Sequence, residues 1–251
     1  MITNYLDDPA TKLLVEKGLD LLNAPYEPLN FVKDPRIDKF INDLNNYPHF
    51  FVLGCVMDRQ IKAERAWKIP FFISQEANGQ DFANFCTLTF DQINNIFQER
   101  KLHRFNKIMA NCFYHAIQKI NYDYNGDASL IWKENYLCDT VLQRFLQFKG
   151  VGIKIATMAT NSLIREYKIP LKNKSHIDIS PDVHVRRVFT RIGLIEKNSS
   201  TDELLYCARS LYPDYPGVFD LPTWQIGRTW CRPDMPDCSS CYITNVCKKH
   251  I

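Results

Sequence analysis

CRPDMPDCSSCYITNVC, residues 231–247, places Cys231, Cys238, Cys241 and Cys247 at gaps of six, two and five residues. Four thiolates this close in a reducing compartment imply a metal centre rather than disulfides. Zinc takes four sulfurs, but its sites usually split into two tight Cys-x2-Cys hooks, and here there is only one. The two-, two- and three-residue gaps of bacterial ferredoxins do not fit either. The other five of the nine cysteines, Cys55, Cys86, Cys112, Cys138 and Cys207, stand singly in apolar stretches and are expected to act as small buried hydrophobes.

Outward from this knot, the chain has 251 residues, 45% hydrophobic and 24% charged. That composition is globular and excludes a disordered or fibrous chain. No run of apolar residues is long enough for a transmembrane helix, and MITNYLDDPATK lacks the basic-then-apolar plan of a signal peptide. The expectation is a soluble, intracellular protein. Nine glycines against 12 Tyr and 16 Phe favour helices over turn-dense β structure. The net charge is only +3, but residues 144–192 carry ten basic and three acidic side chains while residues 1–50 carry five and eight. Such asymmetry is the footprint of a surface that meets phosphate, although lysines and arginines also simply solvate helices.

Asp34-Pro35 caps a helix with Ile37, Phe40, Ile41 and Leu44 at helical spacing, and Pro48 opens an apolar one reaching about Met57. Residues 105–120 form the clearest stripe: Phe105, Ile108, Met109, Cys112, Phe113, Ala116, Ile117 and Ile120. That stripe is read as core packing, with no chemistry assigned. Further helices are expected at 89–99, 139–147, 153–167, 181–192 and 201–211, the last opened by the capping box Ser200-x-x-Glu203. Residues 168–180 read as a polar loop, and no strand is found. The fold is expected to be all-α.

Between two of these helices lies FKGVGIK (148–154). Gly150 and Gly152 around Val151 allow a tight turn whose backbone N–H groups, at the start of the next helix, suit a phosphate oxygen. Many helical hairpins use glycine merely to turn. Lys149 and Lys154 flank the turn. Further on, PDVHVRRV (181–188) puts Pro181 in the first turn of a helix and Asp182 just behind it, where an aspartate is also a common cap.

The terminal Cys-x6-Cys-x2-Cys-x5-Cys, with IGRTWC (226–231) leading into it, resembles the [4Fe–4S] loop of the endonuclease III family of DNA glycosylases. FKGVGIK resembles the helix-hairpin-helix of the same superfamily, with Lys149 where a proline is common. The resemblance implies a [4Fe–4S] cluster on Cys231, Cys238, Cys241 and Cys247, structural and DNA-orienting. It makes Lys154 the nucleophile that attacks C1′, forms a Schiff base and leads to β-elimination. A buried position at a helix start would keep its amine neutral; a phosphate-binding lysine is the plainer reading. Asp-x-His-x-x-Arg-Val is similar to the family's aspartate motif, so Asp182 becomes the catalytic acid and His184 packs against or orients it. The 28 residues from Lys154 to Asp182 are more than the family implies, with 168–180 as the insertion.

MDRQIKAERAW (57–67) resembles the segment that supplies a wedge for the flipped-base hole, which points to Gln60, with Arg59 toward the orphaned strand. The cluster loop holds one base and two acids in RPDMPD (232–237), so Lys172 and Lys174 are expected to supply its missing phosphate contacts. Gly150, Val151, Gly152 and Lys149 complete the DNA-binding set. The resemblance implies a helix-hairpin-helix domain over 46–160, a cluster domain built from 1–45 plus 161–251, and a catalytic cleft between them. The activity implied is base-excision DNA glycosylase with AP lyase function on double-stranded DNA bearing damaged bases or abasic sites, oxidised pyrimidines first, carried out by a monomer that is cytoplasmic and nucleoid-associated or nuclear. Asp-Val-His at 182–184 and Gly-Ile-Lys-Ile at 152–155 are also similar to 8-oxoguanine glycosylases, and a non-catalytic iron–sulfur DNA-binding module is the remaining alternative.

Overall fold

The computed structural model describes residues 8–134 and 136–251, and among them there is helix and no strand. The helices, in chain order, are α1 (Pro9–Asn23), α2 (Pro35–Asn42), α3 (Pro48–Met57), α4 (Ala63–Ala66), α5 (Ile69–Glu76), α6 (Phe82–Cys86) and α7 (Phe90–Glu99). There follow α8 (Asn106–Asp123), α9 (Leu130–Lys133), α10 (Cys138–Leu146), α11 (Ile153–Arg165), α12 (Val183–Ile192), α13 (Thr201–Leu211) and α14 (Asp220–Thr229). The all-α expectation holds.

Local chemistry starts these helices. Asp34 accepts the Arg36 N–H at 3.1 Å, and Ser200 with Glu203 closes the expected capping box at α13. Thr89 and Gln92 form a second box, at α7. Helices α1, α4, α5, α6, α9 and α14 are not among the expected helices.

The chain divides into two compact units, with the boundary inside α11: Glu27–Ala159 is one, and the chain up to Tyr26 with Thr160–Ile251 is the other. The segment 27–45, expected in the terminal half, sits with the central unit because α2 packs on α3. In that unit α3 is buried along its whole length, and Phe50, Phe51, Phe85, Phe97, Phe113 and Phe145 are among its largest fully buried side chains. Met109, Cys112, Phe113, Ala116, Ile117 and Ile120 of the α8 stripe pack inward as expected, whereas Phe105 stands before the helix and is half-buried, and Ile108 is 58% exposed. Ile108 lies roughly 100° around the helix from Met109, beyond the edge of the apolar face. Cys55, Cys112 and Cys138 are buried, but Cys86 and Cys207 are only half-buried, a correction to their reading as core residues.

In the other unit α12 crosses α14 closely at Gly227, where a side chain would meet His184 Cβ at 2.7 Å. Helix α1 seats on the turn Pro216–Phe219 through Gly18, where a Cβ would lie 2.2 Å from the Val218 carbonyl oxygen. Lys168, at the head of the 168–180 loop, donates from Nζ to the carbonyls of Leu21 and Leu22 at 3.0 Å, closing the α1 C-terminus.

Candidate functional site

The hairpin turn has the geometry its glycines allow. Gly150 adopts φ +87°, and a Cβ there would lie 2.7 Å from Cys112 Sγ on α8. Both facts require glycine. Gly152 has open space around its missing side chain, and its carbonyl accepts the N–H groups of Ile155 and Ala156, so it caps α11. Val151 is half-buried and donates its N–H to the Phe148 carbonyl. Lys154 lies in the first turn of α11 with its side chain 36% exposed.

Facing Lys154 is a residue absent from the expectations. Asp58 Oδ2 lies 3.6 Å from Lys154 Nζ. Asp58 terminates α3 one residue before Arg59, in the stretch read only for its wedge. Gln60, at φ +55°, and Arg59 are exposed at this turn. Cys112 feels the charges of Arg59 and Lys149 together, so the structure brings the wedge turn and the hairpin turn to one place. A signal was available: an aspartate directly after an apolar, fully buried helix has to be partly buried itself, and buried carboxylates have partners.

Beside the turn, a pocket of about 380 Å³ is lined by Lys62, Arg65, Lys68, Arg100 and Lys101 with one acid, Glu64. Two of the cations are already engaged: Arg65 donates to the Leu102 and Lys101 carbonyls, and Arg100 pairs with Glu76. The three lysines give the pocket its positive field.

Asp182 belongs to the other unit. The expectation that Pro181 lies in the first helical turn is corrected, because α12 begins at Val183 and Asp182 is its N-cap, accepting the His184 N–H at 2.8 Å. The ring of His184 has partners on α12 and α14. It accepts from Arg187 at 2.8 Å and packs against Trp224. The loop before Asp182 is fastened at several points. Ser180 N–H donates to Asp220 Oδ1 at 2.7 Å, Asn161 donates to the Asp178 carbonyl at 2.8 Å, and Arg209 grips the Asp178 carboxylate with two bonds. Lys172 is exposed and Lys174 half-buried on this loop.

Cys231, Cys238, Cys241 and Cys247 line one pocket whose apolar wall is Val188, Ile192, Ile226 and Ile243. Among the described residues no three His, Cys, Asp or Glu side chains are grouped to hold a single metal ion. The donor set is all thiol, and N–H groups point at it: Arg191 donates to Cys231 Sγ at 3.5 Å and Lys249 N–H to Cys247 Sγ at 3.4 Å. Burial pushes the Cys241 and Cys247 thiols above their ordinary range, and the charges of the neighbouring cysteines add to the rise. An all-sulfur set in an apolar pocket with N–H donors fits an iron–sulfur cluster. Arg187 and Arg191, absent from the expectations, tie α12 to the loop through the carbonyls of Gly227, Cys231, Arg232 and Pro233.

No protein-family model matches the chain. It is 29% identical over 108 residues to an Endonuclease III of Thermotoga maritima, a stretch covering 43% of this chain and 46% of that protein. The match thus spans less than half of the relative. Among solved structures, a non-covalent endonuclease III–DNA complex aligns with TM-score 0.63 at 16% identity, covering 94% of this chain and 92% of the other. A trapped covalent endonuclease III–DNA intermediate gives 0.59, also at 16% identity, over 85% and 91%. A thermostable thymine-DNA glycosylase gives 0.62 at 16% identity over 96% and 97%. The chain therefore has the fold of these proteins and resembles the endonuclease III family in sequence and in fold.

Proposed function

We propose that this chain is a base-excision DNA glycosylase with AP lyase activity, acting on double-stranded DNA. The observation that carries the reading is Lys154 in the first turn of the helix that the Gly150 turn opens, beside a buried carboxylate. The backbone amides of that turn hold a phosphate, Lys154 attacks C1′ of the damaged nucleotide, and the Schiff base decays by β-elimination. Asp182, half-buried at its cap, supplies negative charge for the oxocarbenium-like sugar. Gln60 and Arg59 fill the space left by the flipped base.

The central unit, Glu27–Ala159, serves as the helix-hairpin-helix domain and the remainder as the cluster domain. Cys231, Cys238, Cys241 and Cys247 would hold a [4Fe–4S] cluster, which supplies a covalent staple for the C-terminal loop. Among the described residues no helix is long and apolar enough to cross a membrane.

The test is borohydride trapping on duplexes carrying thymine glycol or an abasic site. A covalent band with the native protein that is lost in Lys154→Ala supports the lyase and its nucleophile. Intact DNA binding with no band on either substrate removes the lyase reading.

A further inference from the structure

A nucleophilic lysine has to shed a proton before it attacks, and Asp58 presents a carboxylate within reach of it. Its Oδ2 is 3.6 Å from Lys154 Nζ, and its side chain is 9% exposed against 36% for the lysine. The carboxylate is presented by a braced turn. Asp58 N–H donates to the Cys55 carbonyl at 3.0 Å and Arg59 N–H to the Met57 carbonyl at 2.8 Å. The ring of His103 lies against the Met57 and Arg59 carbonyls, with Nδ1 accepting the Phe105 N–H at 3.0 Å. Arg65, donating to the Leu102 carbonyl at 3.0 Å, anchors the segment on which His103 sits.

An ion pair that only fastened the turn to α11 would need nothing more. Here, however, the lysine is half-open to solvent while its partner is not, so a bound duplex would cover both. In water the charged pair is favoured. In a site dried by a bound duplex, two charges cost more than a neutral acid and a neutral amine.

We propose that Asp58 is the proton acceptor for Lys154, a role that rests on the reading of Lys154 as nucleophile. On an abasic aldehyde the proton passes from Nζ to Oδ2, and the freed lone pair of Nζ forms the bond to C1′. The carbonyl π pair moves to its oxygen, which collects two protons, one from nitrogen and one by way of Asp58, and leaves as water. The products are a protonated Schiff base and an ionised Asp58, with no net change of charge. An internal transfer of this kind makes the rate insensitive to pH. Titratable or charged groups around the pair are Cys55 on α3 and Cys112 on α8, whose thiols burial pushes up, His103, whose ring burial pushes toward the neutral form, and the side chains of Arg59 and Lys149.

The experiment is single-turnover borohydride trapping on an abasic-site duplex, at saturating protein, from about pH 6 to about pH 9. The native rate is expected to be flat. Asp58→Asn is expected to trap about 100-fold more slowly near neutrality and to recover about tenfold per pH unit, as solvent takes over the deprotonation. Asp58→Glu, which keeps a carboxylate, should restore a flat profile at a reduced rate and guards against a folding defect in the amide variant. An Asp58→Asn profile that stays flat, at the native rate or uniformly below it, overturns the proposal and leaves Asp58 a structural partner. No trapping by the native protein removes the Lys154 reading and this role with it, whereas native trapping with a flat Asp58→Asn profile removes this role alone.

Discussion

Asp220 Oδ1 accepts the N–H of Ser180 at 2.7 Å across 40 residues of sequence, and its other oxygen lies 3.5 Å from the buried Arg165 guanidinium. One carboxylate at the start of α14 thus fixes the loop that ends in Asp182 and helps Glu166 neutralise a buried cation. Removing it leaves an unsatisfied N–H and a half-compensated charge. Asp220→Ala is expected to cost about 3 kcal/mol, read as a fall of roughly 10 °C in thermal denaturation. Asp220→Asn keeps an acceptor for Ser180 and should lose less. Equal melting of both variants would show that the Ser180 bond carries no weight.

The two hairpin glycines are expected to respond differently to the same change. Gly150→Ala meets Cys112 Sγ and a left-handed backbone, so it should destabilise by about 1–2 kcal/mol. Pairing it with Cys112→Ala should return part of that loss, because the clash goes but the backbone strain remains. Gly152→Ala has free space and should melt as the native protein does. If duplex affinity then falls in Gly152→Ala, the loss reports close approach of a DNA phosphate, since stability is unchanged. Matching melting curves for Gly150→Ala and the native protein would contradict the turn geometry.

How much of this was legible in advance depends on the range of the interaction concerned. Helices α2, α3, α7, α8, α10, α11 and α13 announce themselves through caps and periodicity that act within a few residues, and their expected bounds are close. The Cys231–Cys247 spacing is local too, and all four thiols line one pocket. Helices α1 and α14 owe their places to distant neighbours, Gly18 on Val218 and Gly227 on His184, which no local pattern encodes. Asp58 escapes the sequence for the same reason: its partner is about 100 residues away, and only folding reveals that a carboxylate at the end of α3 meets the start of α11. The contact of the His184 ring with Arg187, one turn on, is set by helical geometry and is not among the expectations.

The cluster assignment predicts a colour and a stability effect that travel together. The purified native protein should be brown and contain iron. Cys241→Ser, which alters a buried wall of the pocket, should lose both and melt at a lower temperature, because bound metal contributes directly to folding. Cys86→Ser, in the central unit, should keep both. A colourless native protein with stoichiometric zinc would replace the cluster by a zinc site on the same thiols.

The pocket of Lys62, Lys68 and Lys101 is expected to contribute to duplex affinity without contributing to chemistry. The slope of log affinity against log salt falls by about 0.9 for each phosphate that a protein no longer neutralises. Lys68→Ala and Lys101→Ala, measured by anisotropy across a salt series, should each flatten the slope by roughly that amount if both lysines meet phosphate, while the trapped fraction at saturating protein stays at the native level. Unaltered slopes in both would place the duplex elsewhere.

Acid stability is expected to depend on His49. Its ring is 2% exposed among Phe50, Phe82 and Phe85, and Nε2 meets the Gln80 carbonyl at 2.8 Å. Burial pushes its pKa down from 6.5 to about 4. The folded protein therefore holds this histidine neutral where the unfolded chain would take a proton. A folded pKa below the unfolded one means that the contribution is fully present above about pH 6.5 and is lost as pH falls toward about 4. The full shift corresponds to about 3 kcal/mol. His49→Gln, which retains a donor for Gln80 and cannot titrate in this range, should have a lower melting temperature at neutral pH but a shallower decline between about pH 6.5 and about pH 4.5. Parallel declines in the two proteins would mean that other groups, chiefly the carboxylates, set the acid limit.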